Sequence, residues 1–163
     1  MQNSQGTSIK LTQNFCLDEF TISQVAERHG YKNIPNEKQI ENLRLLCVNV
    51  LQPLREIIKV PIFINSGFRC FDVNAAVGGK SNSQHLDGKA ADIIVPSMNL
   101  SDVFNIIIAK LNYDQLIWEF GKPPRLDKRG EPSWIHVSFN GGNNRKDVLL
   151  SKRVNGKTVY ERV

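Results

Sequence analysis

The spacing of apolar residues changes at Pro61, and this change constrains the fold more than any other feature of the sequence. Before Pro61, apolar side chains recur every three or four residues between positions 40 and 51, as on one face of a helix. After it, the short run Ile62-Phe63-Ile64 is typical of a strand. We therefore predict an α+β fold, with helices early in the chain, a small antiparallel sheet later, and the helices packed on one side of that sheet.

Start and stop signals place the predicted helices. A first helix is expected over residues 17–28, ending at His29-Gly30. A longer helix begins after Asn36, a good N-terminal cap, and is kinked or divided at Pro53. The remaining predicted helical segments are residues 72–77 and 100–111.

Short apolar segments predict the strands. The first, over residues 62–66, is expected to be buried. The turn residues Asn155-Gly156 predict a hairpin within residues 148–163. No internal repeat or linker divides the chain, so we expect one domain over residues 1–163, with residues 1–13 as a loose arm. The other predicted strands are residues 90–95, 115–120 and 133–139.

The composition excludes several classes of protein. With 163 residues, of which 40% are hydrophobic, the chain has the size and apolar content of one globular domain. No apolar run approaches the ~18 residues of a membrane span. The first seven residues lack the basic and apolar layout of a secretory signal. We therefore expect synthesis in the cytoplasm without a signal peptide, and no membrane partner.

The charge balance favours an anionic partner. The chain has 21 Lys and Arg against 16 Asp and Glu, a net charge of +5. The densest basic groups, residues 122–129 and 145–157, are interrupted by Asp and Gly. We interpret them as solvated loops, and no nucleic-acid partner is expected.

The three cysteines are far apart and form no C-x-x-C pair, which predicts reduced thiols.

Two of the three histidines lie with an aspartate in the strand-rich half of the chain. His85 and Asp92 are joined through Gly88, so the chain can turn and direct both side chains to one metal ion. His136, on a predicted strand, is the natural third donor, and two His with one carboxylate is a ligand set of catalytic zinc. Taken singly, each of the three also has an ordinary structural role. His29, at a helix end, is interpreted as structural.

The ten residues from Ser83 to Asp92 follow the pattern S-x-H-x-x-G-x-A-x-D. With the runs Ser66-Gly67-Phe68-Arg69 and Trp134-Ile135-His136-Val137-Ser138, this segment resembles the D-Ala-D-Ala carboxypeptidase-type zinc metallopeptidases. That group also includes lysostaphin-like enzymes and the hedgehog signalling domain. The resemblance covers most of residues 14–139 and includes an N-terminal segment similar to that of the single-domain, phage-type branch. It implies a hedgehog/D,D-peptidase-like fold and zinc-dependent peptidase activity.

The resemblance also implies roles for individual residues. Ser83 and Arg69 match residues that contact substrate, and a guanidinium near a metal can pair with a terminal carboxylate or stabilise a developing oxyanion. We further expect Asn74 and Gln84, which lie in or beside the same motif runs, to bind substrate. The zinc ligands that the resemblance implies are His85, Asp92 and His136.

This type of peptidase also needs a general base, a carboxylate that accepts a proton from the attacking water. Some relatives carry an acidic residue three positions before the last histidine ligand, where this chain has Ser133. We choose Glu119, at the end of a predicted apolar strand, as the catalytic carboxylate. Glu131 is the alternative, since Pro132 can turn it toward the site.

Together, the residues and the resemblance predict zinc-dependent hydrolysis of an amide bond in peptidoglycan stem peptides. A D,D-carboxypeptidase and an endopeptidase of endolysin type are both compatible with the motif. We expect one Zn²⁺ per chain and a monomer, which reaches the cell wall by phage-type release or on a particle. The alternative is a catalytically silent zinc-containing module that binds the cell wall or forms part of a phage, since the hedgehog branch keeps such a site without clear peptidase activity.

Overall fold

The computed structural model describes residues 8–121 and 131–163, which form six helices and one six-stranded sheet. The α+β fold class is confirmed. None of the helices in these two ranges has the length and apolar character that crossing a bilayer requires. The helices are α1 (Leu17–Thr21), α2 (Gln24–His29), α3 (Glu37–Leu46), α4 (Gln52–Ile58), α5 (Phe71–Ala76) and α6 (Leu100–Lys110). The strands are β1 (Phe63–Ser66), β2 (Ala90–Ile94), β3 (Gln115–Glu119), β4 (Trp134–Ser138), β5 (Asp147–Val154) and β6 (Lys157–Arg162).

The segment predicted as one helix over residues 17–28 is divided into α1 and α2. The prediction of a continuous helix is therefore wrong at Ile22 and Ser23. Ile22 is extended, with φ −62° and ψ 127°. Ser23 then caps α2, because its Oγ accepts a hydrogen bond from the Ala26 amide at 3.2 Å. A side chain that satisfies a free amide in this way stabilises a new helix start.

The long helix begins after Asn36, as the sequence predicts. The Asn36 side chain accepts from the Gln39 amide at 2.9 Å, and the Gln39 side chain accepts from the Asn36 amide at 2.8 Å. Pro53 also has the predicted effect, since a π-helical turn over Cys47–Leu51 separates α3 from α4. Proline lacks an amide hydrogen and crowds the preceding turn, and the wider π turn accommodates it.

The strands are ordered β1-β2-β4-β3-β5-β6. All neighbours are antiparallel except β3 and β5, which are parallel, so the wholly antiparallel sheet that we predicted is wrong at this pair. Because β2 and β3 occupy both edges of β4, β5 joins the far edge of β3, and it is parallel to β3 since it runs in the direction opposite to β4. The strand predicted over residues 62–66 is also not buried, because β1 lies at the sheet edge and its Phe63 is 53% exposed.

The two faces of the sheet have different environments, because side chains alternate along each strand. Helices α1, α3, α4 and α6 supply buried residues to the hydrophobic core on one face, whereas α2 and α5 border the opposite face. The core-facing residues of the three central strands are Ala91, Ile93, Leu116, Trp118, Ile135 and Val137. The residues on the opposite face are Asp92, Ile117, Glu119, Trp134 and His136.

In residues 8–13, the described part of the predicted loose arm, Leu11 is buried, whereas Ser8, Ile9, Lys10 and Gln13 are exposed. Leu11 is 4% exposed and belongs to the core. Arg44 donates to the carbonyls of Lys10 and Leu11, both at 3.1 Å. These contacts attach the arm to the core at Leu11, and its looseness elsewhere stays a prediction.

The C-terminal segment forms the predicted hairpin, with Asn155 and Gly156 at φ 50° and 77° in its turn. The basic group at residues 145–157 is therefore mostly strand, and the interpretation as a solvated loop is wrong there. Arg145 pairs with the buried Asp114 at 2.6 Å. The other basic group, at residues 122–129, lies outside the described residues.

Candidate metal centre

A cleft of about 1050 Å³ opens on the face of the sheet opposite the core. Its floor consists of side chains from β2, β3 and β4. One side is formed by β1 and α2, and the other by the β5–β6 hairpin. The segment between α5 and β2 lines it as well. The cleft thus lies over the part of the sheet that carries the predicted metal ligands.

Three buried donor atoms meet on the cleft floor. His85 Nε2 lies 3.2 Å from His136 Nδ1 and 3.3 Å from Asp92 Oδ1. His136 Nδ1 lies 3.0 Å from Asp92 Oδ1. All three residues are at most 8% exposed. The structure therefore brings together the three residues that the sequence proposes as metal ligands.

These separations fit coordination of one metal ion. A tetrahedral ion with ligand distances of ~2.0–2.1 Å holds its donor atoms about 3.3–3.4 Å apart. Two imidazole nitrogens and a carboxylate oxygen are Lewis bases, and their lone pairs repel unless a cation or a proton lies between them. The donor set is therefore suited to a divalent transition-metal ion.

Backbone groups orient the His85 ring. Its Nδ1 donates a hydrogen bond to the Gly67 carbonyl at 2.6 Å, because a carbonyl can only accept. The lone pair of the ring then lies on Nε2, which faces Asp92 Oδ1 and His136 Nδ1. A Cβ at Gly67 would lie 2.6 Å from Phe20 Cα in α1. Gly88 has φ 69°, and a Cβ there would lie 2.5 Å from the Gln39 carbonyl oxygen in α3. Both glycines are needed for the close approach that fixes this segment against the helices.

Asp92 has a second partner on its other oxygen. Arg69 Nη2 donates to Oδ2 at 2.9 Å, and Arg69 Nε donates to Ser66 Oγ at 2.9 Å. Burial acts to raise the pKa of Asp92, but hydrogen bonds from His85 and His136, and the positive charge these rings carry when protonated, outweigh it, so the pKa lies below its ordinary value. Asp92 is therefore a carboxylate with one oxygen fixed by Arg69 and the other directed at the histidines.

Glu119 lies beside His136 on the cleft floor. It is opposite Trp134 in the β3–β4 ladder, so His136 is its diagonal neighbour, at a distance of about 7–8 Å along the sheet. Glu119 is 7% exposed. Its pKa is raised, chiefly by burial and further by the Asp92 charge, against a hydrogen bond from Ser151 and the charge of His136. A buried carboxyl group of this kind beside a metal site is a candidate proton acceptor.

Glu131, the alternative base, is placed elsewhere. Its exposed carboxylate accepts hydrogen bonds from the Ser101 amide at 3.1 Å and the Ser101 hydroxyl at 2.7 Å, at the start of α6. It does not belong to the described residues that line the cleft. The geometry therefore favours Glu119.

Three of the four residues predicted to bind substrate line the cleft: Arg69, Ser83 and Gln84. Gln84 donates from Nε2 to Asp114 Oδ2 at 2.9 Å. Its Oε1 is buried and accepts no hydrogen bond from the described residues. Contact of Gln84 with substrate therefore stays a prediction.

Asn74 lies behind the cleft surface. It is 2% exposed, and its Nδ2 donates to the Lys80 carbonyl at 2.9 Å. Its Oδ1 is 3.5 Å from Arg69 Nη1. Asn74 thus organises the segment after α5, and its contact with substrate stays a prediction.

The C-terminal hairpin contributes residues to the cleft that the sequence analysis did not predict. Ser151 donates a hydrogen bond to Glu119, and Arg153 and Tyr160 line the cleft. A serine or a tyrosine in a strand carries no local functional signal. Only the pairing of β5 with β3 shows that these residues belong to the site.

Comparison with known proteins agrees with this geometry. A sequence profile of the Peptidase M15 family matches residues 13–122, about two thirds of the chain. The matched segment contains His85, Asp92 and Glu119 and ends before His136 and the hairpin. No curated protein matches the chain. M15 peptidases depend on a metal ion, and the buried set of His85, Asp92 and His136 is able to hold one. The chain belongs to the M15 peptidase family, the D-Ala-D-Ala carboxypeptidase-type group of metallopeptidases.

Proposed function

We propose that this protein is a zinc-dependent hydrolase of amide bonds in peptidoglycan stem peptides. The observation that carries the proposal is the convergence of His85, Asp92 and His136 at 3.0–3.3 Å on the floor of an open cleft. Three protein ligands leave one coordination position for water or substrate, as a catalytic zinc requires. Membership of the M15 family supports a peptide bond as the target.

A bound zinc ion supplies Lewis-acid polarisation of the scissile carbonyl and lowers the pKa of water. Glu119 accepts a proton from the attacking water and then delivers it to the leaving amine. Its raised pKa suits both steps, because the carboxyl group can hold the proton between them. Arg69 holds Asp92 in place, and its guanidinium also lines the cleft, where it can bind a carboxylate or carbonyl oxygen of the substrate.

The rim of the cleft supports an anionic peptide as the substrate. The exposed side chains of Arg28, Lys80 and Arg153 surround the cleft, and the chain carries a net charge of +5. We propose a D,D-carboxypeptidase or endopeptidase that works as a monomer. Delivery to the wall by phage-type release or on a particle completes an endolysin-like role.

The proposal is tested by measuring metal content and cleavage together. Purified protein is analysed for metal, and the release of amines from peptidoglycan is followed with chelator and after zinc is restored. We expect one zinc ion per chain and cleavage that stops with chelator and returns with zinc. Mass spectrometry of fragments from D-Ala-D-Ala-terminated and cross-linked stem peptides identifies the bond.

Two glutamate variants separate catalysis from metal binding. Glu119→Gln should retain zinc and lose about 10²–10⁴-fold in rate, the usual contribution of a general base. Glu131→Gln is the matched control and should cleave as the wild type does, because this carboxylate is exposed at Ser101. Zinc-loaded protein that cleaves no stem peptide would support the catalytically silent module instead. Protein without zinc, never exposed to chelator, would contradict the metal site.

A further inference from the structure

We propose that Ser151, on the C-terminal hairpin, is a positioning residue that holds the carboxylate of Glu119 for proton transfer. This inference rests on the proposed role of Glu119 as general base. Glu119 and Ser151 are register partners in the parallel β3–β5 ladder, and the Ser151 hydroxyl reaches the Glu119 carboxylate. The hairpin lies beyond residues 13–122, the segment that the family profile matches.

The two partners of Ser151 determine the direction of its hydroxyl group. Ser151 is 5% exposed. The Phe120 amide, which can only donate, gives a hydrogen bond to Oγ at 3.0 Å. The hydroxyl hydrogen is therefore free for Glu119 Oε2, which lies at 2.5 Å. The described residues donate no hydrogen bond to Oε1, so Oε1 is the oxygen left to exchange a proton with water.

The same hydroxyl holds the turn that follows Glu119. Phe120 and Gly121 have φ 53° and 71°, so the chain leaves β3 through two consecutive left-handed residues. A Cβ at Gly121 would lie 2.1 Å from the Glu131 carbonyl oxygen, so the turn packs closely against residue 131. Ser151 thus ties the carboxylate to the backbone of this turn. Rotation of the Glu119 side chain away from the site would break the hydrogen bond to Oε2.

Ser138 provides a comparison within the same sheet. It is 0% exposed, and its Oγ accepts from the Gln115 amide at 3.0 Å and donates to the Gln115 carbonyl at 3.4 Å. Among the described residues, its hydroxyl therefore bonds only to backbone, at the opposite end of β3. Ser151 differs because it directs its hydrogen at a carboxylate on the cleft floor.

The test compares kcat, KM, zinc content and melting temperature of serine variants in the peptidoglycan cleavage assay. Ser151→Ala should lower kcat about tenfold with KM and zinc content unchanged, because only part of the ~10²–10⁴-fold contribution of a general base depends on its orientation. Ser151→Thr keeps the hydroxyl and should stay within about threefold of the wild-type kcat. Ser138→Ala is the matched control and should keep the wild-type kcat even where its melting temperature falls.

A double variant gives a readout that a packing role would not change. In the Glu119→Gln background, adding Ser151→Ala should cause no further loss of kcat, because the two residues act as one unit. A wild-type kcat in Ser151→Ala overturns the inference. An equal loss of kcat in Ser138→Ala and Ser151→Ala overturns it too, since the effect would then follow from stability.

Failure of the proposed function is distinguishable from failure of this inference. If the wild type cleaves no wall peptide, the proposed function is wrong, and crystal structures of wild type and Ser151→Ala test the positioning role. We expect the Glu119 carboxylate to move or to occupy more than one rotamer in Ser151→Ala. An unchanged carboxylate overturns the inference.

Discussion

Among residues 8–121 and 131–163, two buried aspartates each pair with an arginine, but only one of them belongs to the candidate metal centre. Asp92 accepts from Arg69 on one oxygen at 2.9 Å and presents the other to two histidines. Asp114 accepts from the Arg145 backbone and guanidinium and from Gln84, at 2.6–3.2 Å, so both of its oxygens are bonded to donors.

The difference lies in the partners and not in burial, since Asp114 is 0% exposed and Asp92 is 8% exposed. A carboxylate whose lone pairs are all met by N–H donors is a structural ion pair. A carboxylate oxygen that meets two imidazole nitrogens can share a metal ion with them, because each imidazole can present a lone pair to that ion. The two centres are connected, because Gln84 bonds to Asp114 and directly precedes the ligand His85.

The largest expected contrast is between Asp92→Asn and Asp114→Asn. Asp92→Asn removes the anionic ligand, so zinc content should fall to near zero and kcat/KM by about 10³-fold or more. Asp114→Asn should retain one zinc ion per chain and unfold at a lower urea concentration. Elemental analysis, cleavage assays and urea titrations measure the three effects. Loss of zinc from Asp114→Asn would break the distinction between the two centres.

The candidate metal centre could be predicted from the sequence, because most of the residues that indicate it lie close together in the chain. His85, Gly88 and Asp92 lie within eight residues, and Gly88 marks the turn that directs both side chains to one point. The cap at Asn36 and the turn at Asn155-Gly156 are likewise short-range features that the structure confirms.

The second centre and the hairpin contacts could not be predicted, because they depend on pairing between distant segments. Asp114 and Arg145 are 31 residues apart, and Glu119 and Ser151 are 32 residues apart. Both pairs require β5 to lie parallel to β3, and no local pattern specifies that register. The break at Ile22 was missed for a related reason, since Ser23 fits a helix interior and a helix cap.

Separate substitution of Arg69 and Arg145 should have effects of intermediate size, on zinc affinity and on stability respectively. Arg69→Ala frees Asp92 Oδ2, and loss of such a supporting hydrogen bond should weaken zinc affinity about 10–100-fold with a small change in stability. Arg145→Ala leaves the buried Asp114 carboxylate short of donors and should lower the free energy of unfolding by about 2 kcal/mol. Competition with a zinc-binding dye and urea titration provide the two measurements. The reverse pattern, with Arg145→Ala weakening zinc affinity more, would show that the centres are coupled.

The smallest expected effect is the pH dependence of stability that Asp114 contributes. Burial acts to raise the pKa of Asp114, but hydrogen bonds from Arg145 and Gln84 outweigh it and the pKa is lowered. A carboxyl group with a lowered folded-state pKa stabilises the fold above its unfolded value of ~3.9 and loses that contribution as the pH falls toward the folded value. The free energy of unfolding of metal-free protein should therefore decrease from about pH 5 to pH 3.

Arg145→Ala isolates the contribution of Asp114 from those of the other carboxylates. The variant lacks the guanidinium that lowers this pKa, so its free energy of unfolding should fall less steeply over the same pH range. Metal-free protein is required, because protonation of the zinc ligands would add its own dependence on pH. Urea titrations at each pH give the slopes of wild type and Arg145→Ala. Equal slopes for wild type and Arg145→Ala would mean that Asp114 does not titrate in this range, and the difference between the two aspartates would then rest on their metal affinity alone.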